Sequence, residues 1–130
     1  MTSKEAIKYW VDSAEYDFEV MNSLFGSGHY IWALFVGHLV VEKLLKAYYV
    51  KAVNADTPYT HNLLEIAKRA GLGLSESQEY FLDEVTTFNI KARYPDYKKE
   101  FYKKADKIFT KTVVTRIREF RVWLKEKMTK

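Results

Sequence analysis

At 130 residues, 48% apolar and 29% charged, the chain can bury one core without staples and reads as a single globular domain over residues 1–130. It contains no cysteine, which excludes disulfides and thiolate-bound zinc and fits a reducing compartment. The net charge of +4 hides an asymmetry: residues 1–97 hold 9 Lys and Arg against 13 Asp and Glu, whereas residues 98–130 hold 12 against 4. The C-terminal segment is therefore expected either to present a cationic surface to a partner or to be the solvated side of a surface helix.

The N-terminus, Met1-Thr-Ser-Lys-Glu-Ala6, has no apolar core of a signal peptide. The most apolar run, Tyr30 to Val41, is too short to span a bilayer and is interrupted by Gly37 and His38. A cytoplasmic protein with no membrane contact is expected. Proline occurs only at positions 58 and 95, and no Asn-Gly or Asp-Gly hairpin signal is present, so long helices with few turns are expected.

Thr2-Ser-Lys-Glu5 has the pattern of a capping box and opens a first helix. Its apolar residues Ile7, Val11, Ala14, Phe18, Met21 and Phe25 alternate steps of four and three, and Gly26-Ser-Gly28 stops it. A second helix over about 28–53 is apolar almost all round, which marks a central helix, a subunit interface, or both. A loop with Pro58 leads to a short helix over about 61–70, closed by Gly71. Ser75-Glu-Ser-Gln78 is a second capping box, opening a helix to about Ile90 with Phe81, Val85 and Phe88 inward. Pro95 restricts Tyr94 away from helix and removes an amide donor, so that helix should end near Ala92. After a break at Arg93–Tyr97, a last helix over about 100–127 is expected to bury Ala105, Phe109, Val113, Ile117, Phe120 and Leu124. The class expected is all-α, an up-down four-helix bundle with one short additional helix.

Three groupings could carry chemistry. His38, Glu42 and Lys46 lie four residues apart on one face of the apolar second helix, either as an ion-pair ladder or as a polar strip lining a groove. Lys104, Lys107, Lys111, Arg118, Arg121 and Lys125 form a stripe on the last helix that could neutralise nucleic-acid phosphates or simply face water. Arg93, Tyr94 and Asp96 crowd the turn at Pro95, where a plain linker needs none of them. His29, His38 and His61 make no metal-binding spacing, there is no Glu-x-x-His pair, and no glycine-rich phosphate loop exists, so neither metal nor cofactor is expected. For His61 a local role near the start of the short helix is the default.

Four stretches stand out in order: Gly28-His-Tyr30 with Ala33-Leu-Phe35, Val41-Glu-Lys-Leu-Leu-Lys-Ala47, Thr60-His-Asn-Leu63 and Arg93-Tyr-Pro-Asp96. In order and spacing the chain resembles the HEPN domain family of small helical proteins. It departs at Gly37-His38, where members often carry a short polar stretch with glutamine. The resemblance implies a helical bundle that dimerises through its long helices and is encoded beside, or fused to, a minimal nucleotidyltransferase, frequently as a toxin–antitoxin pair. It also implies, for many members, metal-independent ribonuclease activity from an arginine followed four to six residues later by a histidine. Here the last histidine is His61 and the first arginine is Arg69, so no arginine precedes any histidine.

The function expected is therefore a non-catalytic HEPN-type module that homodimerises and engages a nucleotidyltransferase partner or a nucleotide near Arg93. Arg93 would offer a forked cation to phosphate or carboxylate, with Asp96 orienting it or bonding a helix end. Two alternatives stand beside it. One is a ribonuclease toxin with a rearranged site, in which Lys46, His61 and Arg93 converge and His61 is the general base. The other is nucleic-acid binding through the basic last helix.

Overall fold

Among residues 1–129, which the computed structural model describes, there are six helices and no strand. They are α1 (Ser3–Gly26), α2 (Tyr30–Ala52), α3 (Leu63–Arg69), α4 (Glu76–Lys91), α5 (Pro95–Lys104) and α6 (Lys107–Met128). Both capping boxes form. The Thr2 hydroxyl accepts from the Glu5 N–H while the Glu5 carboxylate accepts from the Thr2 N–H, each at 3.1 Å. Ser75 and Gln78 repeat the exchange at the start of α4. Each box answers amide donors that have no partner inside the helix.

Glycine ends α1 as the sequence suggested. Gly28 adopts φ +80°, the left-handed region open to glycine, and lets the amides of Gly28 and His29 reach back to the carbonyls of Phe25 and Leu24. Gly71, at φ +72°, closes α3 in the same way, with Gly71 and Leu72 donating to Lys68 and Ala67.

The chain between Arg93 and Phe109 differs from expectation. The turn is shorter than the predicted break: α4 caps at Ala92, Tyr94 is extended, and Pro95 already sits in the first turn of α5. A second break follows at Ala105-Asp106, where the Asp106 carboxylate caps α6 by accepting from the Phe109 N–H at 2.8 Å. The expected single last helix is thus two, and two short helices, α3 and α5, accompany the four long ones. Phe101, Ala105, Phe109 and Val113 keep a four-residue step straight through the break. Periodicity alone therefore could not reveal it.

The core gathers around α2, which packs on α1, α3, α4 and α6. Buried residues lie on most sides of it, from Ile31 and Leu34 through Val40, Val41, Leu44 and Leu45 to Val50. Contacts pair rising positions on α2 with falling ones on α1 (Gly37 with Met21, Lys43 with Asp17, Lys46 with Trp10), so these two helices run antiparallel. Against α4, ring pairs Phe81–Phe120 and Phe88–Phe109 seat α6 at centroid distances of 5.7 and 6.3 Å.

Gly37 is where α1, α2 and α6 meet most tightly. A Cβ there would lie 2.6 Å from Ile117 Cδ1 and 3.2 Å from Met21 Sδ, and both of those side chains are fully buried. Gly37→Val is expected to cost about 1–3 kcal/mol by overpacking, measured as a lower urea midpoint. Gly37→Ala should be milder, because about 1 kcal/mol of helix propensity offsets the strain.

Candidate functional site

Two charged residues and a histidine on one face of a buried helix need partners, because each would otherwise lose its hydration without return. The structure supplies them from three elements. Glu42 lies on α2 with its side chain only 7% exposed. One oxygen, Oε2, accepts from Lys46 Nζ at 3.1 Å; the other, Oε1, accepts from His61 Nδ1 at 2.8 Å. Lys46, with its side chain 11% exposed, also sits 5.2 Å from the ring centre of Trp10 on α1. His38 Nε2 donates to the His61 carbonyl at 3.1 Å. Of the expected ladder the Glu42–Lys46 rung forms, and His61 joins it from the loop before α3.

His38 is wholly buried, and its Nδ1 has no hydrogen-bond partner. Burial pushes its pKa below the ordinary 6.5; the bond to His61 and the Glu42 charge oppose this, while the His61 and Arg93 charges add to it. A neutral ring fits the geometry, with the proton on Nε2 where the carbonyl waits. Its 3.8 Å approach to Glu42 is then a contact of a dipole with a carboxylate and not an ion pair. The His61 ring is 63% exposed. Its Nδ1 donates to Glu42, and its Nε2 has no hydrogen-bond partner among the described residues.

Arg93 stands apart from this cluster, although its field reaches His38. Its Nε and one terminal nitrogen donate to the carbonyl and side chain of Asn89, one helical turn earlier, at 2.8 and 3.1 Å. The guanidinium lies 5.4 Å from the Phe35 ring centre and 5.5 Å from that of Tyr94. Its other terminal nitrogen, Nη1, has no partner among the described residues. Asn89, not Asp96, orients it. Asp96 lies in the first turn of α5, where a carboxylate favours the positive end of the helix dipole.

The basic stripe is divided. Lys104 belongs to α5, not to the last helix, and its Nζ lies over the Phe109 ring. Arg118 donates to Asn22 at 2.7 Å, and Arg121 and Lys125 both bind the Glu15 carboxylate on α1. Burial alone would raise the Glu15 pKa, but the hydrogen bonds from Lys125 and Arg121 outweigh it and hold the carboxyl below its ordinary value. Lys107 and Lys111 remain exposed without an ion-pair partner among the described residues.

A HEPN domain signature matches residues 7–127, nearly the whole chain. The chain belongs to the HEPN domain family. Its fold resembles the crystal structure of TT1696 from Thermus thermophilus, with a TM-score of 0.79 at 16% identity over 93% of this chain and 97% of that one. Comparison with curated proteins gives no match. Among the described residues, no helix is long and apolar enough to cross a membrane, and no three His, Asp or Glu side chains group to hold a metal ion.

The stretches that carry the HEPN resemblance have physical roles here. In Val41–Ala47, Glu42 and Lys46 form the buried pair, and Lys43 reaches α1 at Ser13 and Asp17 at 2.8 and 2.6 Å. In Thr60–Leu63, the Thr60 hydroxyl turns the chain by accepting from the Asn62 N–H, and Asn62 caps α3. Leu63 fills the core while its amide donates to Thr86 on α4. Sequence reasoning missed Trp10 and Asn89; its rearranged-site alternative joined His61 to Lys46 and Arg93, whereas His61 and Lys46 meet at the Glu42 carboxylate and Arg93 is held by Asn89. Only Asn89 left a signal, four residues before Arg93.

The buried neutral His38 makes stability depend on pH. Below about pH 6.5 the unfolded imidazole takes up a proton that the folded one resists, so stability falls on acidification, by at most about 1.4 kcal/mol per pH unit. His38→Gln, which can keep a donor for the His61 carbonyl, should flatten that dependence. Melting curves at about pH 7.5 and 5.5, on either side of the ordinary imidazole pKa, check it.

Proposed function

We propose that this HEPN chain is a non-catalytic module that binds a nucleotide or RNA at Arg93, homodimerises, and takes a minimal nucleotidyltransferase as partner within a toxin–antitoxin pair. The observation that carries the reading is the state of the Arg93 guanidinium. It is fixed on one edge by Asn89, backed by Phe35 and Tyr94, and without a partner at Nη1 among the described residues, which suits a phosphate arriving from solvent. Membership of the family supports a nucleotide- or RNA-related role, and the lack of any arginine ahead of a histidine argues against the family's ribonuclease chemistry. The reading takes the four long helices as an up-down bundle, which the antiparallel pairing of α1 with α2 supports.

The test is calorimetric titration of the protein with ATP and with a short RNA. Arg93→Ala should weaken binding about tenfold or more, the loss of a charge-assisted hydrogen bond, and Arg93→Lys should restore only part of it. Light scattering should give twice the 15.4 kDa chain mass, and the product of the neighbouring gene should co-purify. A wild-type monomer that binds neither ligand and captures no partner refutes the reading.

One observation favours a second reading, a ribonuclease with a rearranged site. A carboxylate that fixes Nδ1–H of an exposed histidine leaves Nε2 poised as a general base, as Glu42 does for His61. Lys46 weakens it, being nearly buried and held by Glu42. Metal-free cleavage of RNA, lost in both His61→Ala and Arg93→Ala, would favour this reading over the first.

A further inference from the structure

Around Arg93 lies a surface that the phosphate-binding reading uses only in part. Trp32 on α2 is 41% exposed and Tyr94 in the turn is 51% exposed. They belong to one contiguous patch. Trp32 meets Phe35 edge-on, with ring centres 6.0 Å apart. Arg93 bridges Phe35 and Tyr94, and Lys98 of α5 places its Nζ 4.8 Å from the Trp32 ring centre. Rings and cations are thus interleaved along α2, the turn after α4 and the start of α5, as Lys98, Trp32, Phe35, Arg93 and Tyr94 in order of contact. The local charge is one-sided: Lys91, Arg93, Lys98 and Lys99 face a single carboxylate, Asp96, before Glu100.

We propose that this patch is a stacking platform for single-stranded RNA. Unpaired bases lie on Trp32 and Tyr94, and Arg93 and Lys98 neutralise the phosphates between them. The proposal rests on the reading that Arg93 meets phosphate and adds to it a site for the base. Three features favour this occupant. Aromatic faces accept any base, and each contributes to affinity without base-specific hydrogen bonds. The positive local charge complements a polyanion, whereas an apolar partner helix would have to strip Arg93 and Lys98 of water without supplying counter-charge. Finally, Lys98 now covers a face of Trp32 on a flexible stem; it can move from the ring to the phosphate of the base that replaces it. Two exposed rings on different elements call for a strand of at least two nucleotides, with its bases unpaired.

The experiment compares a fluorescent ten-residue uridine strand with an abasic ribose-phosphate strand of equal length, by anisotropy at fixed low salt. The wild-type protein should bind the uridine strand about tenfold or more tightly than the abasic one. Trp32→Leu, retaining a melting transition near that of wild type, should weaken uridine binding about fivefold or more and leave abasic binding unchanged, whereas Tyr94→Leu, whose ring also backs Arg93, should weaken uridine binding more than abasic binding. In a Trp10→Phe, Trp123→Phe background, emission from Trp32 should be quenched as the uridine strand is added. Equal affinity for the two strands overturns the platform while leaving phosphate binding at Arg93 standing. Binding of neither strand removes both. A Trp32→Leu protein that changes mass in light scattering would show the patch to be a subunit interface, and would overturn the proposal.

Discussion

The Glu42 carboxylate, set in a helix that is otherwise nearly all core, is the constraint from which much of the remaining arrangement follows. An anion buried there must be answered on both oxygens, and only one answer, Lys46, comes from its own helix. The other requires the loop after α2 to bring His61 back across the helix. That demand fixes the loop's path. With His61 pinned through its ring to Glu42 and through its carbonyl to His38, Asn62 is in place to cap α3 and Leu63 to enter the core. Leu63 in turn donates to Thr86, which ties the start of α3 to α4. The end of α4 then sets where Asn89 and Arg93 stand. A buried charge on one helix thus governs, through consecutive bonds, the placement of an exposed charge on another.

Part of the charge asymmetry of the sequence is used between helices. The acidic N-terminal part and the basic C-terminal part meet where Glu15 of α1 receives Arg121 and Lys125 of α6, with Asn22 taking Arg118 nearby. Arg121 also lies over the Phe18 ring, 4.3 Å from its centre. A stripe that reads as a ligand surface is therefore partly a clamp between the first and last helices, joining residues far apart in the chain. Partial exposure keeps each such pair weak. Two cations sharing one carboxylate, with an aromatic face beneath, still favour this packing of α1 on α6.

What was legible in the sequence was what local rules determine. The capping boxes at Thr2 and Ser75, the glycine stop at Gly28, and the end of α4 before Pro95 each depend on a few adjacent residues, and each was found. The site was legible only along its own helix. The steps from His38 to Glu42 to Lys46 appear in the spacing, whereas His61 and Trp10 reach Glu42 and Lys46 by folding, which no spacing encodes. The break at Ala105-Asp106 was hidden for a different reason. Neither proline nor glycine marks it, and its apolar residues keep helical phase, so the only local sign was an aspartate able to cap.

The chemistry of the Arg93 turn follows from what the chain places after the arginine. A general base has to exist in a proton-accepting form at neutral pH, and an imidazole beside an arginine can provide it. Here Arg93 is followed across the proline by Tyr97, Lys98, Lys99 and Glu100. Two lysines in that span offer charge but no imidazole. The exposed imidazole, His61, is oriented by Glu42 from another helix. Positive charge and proton-accepting capacity are thus carried by different elements in this chain, each fixed by its own partner, Asn89 for Arg93 and Glu42 for His61. An arrangement of that kind gives the turn positive charge without an imidazole beside it.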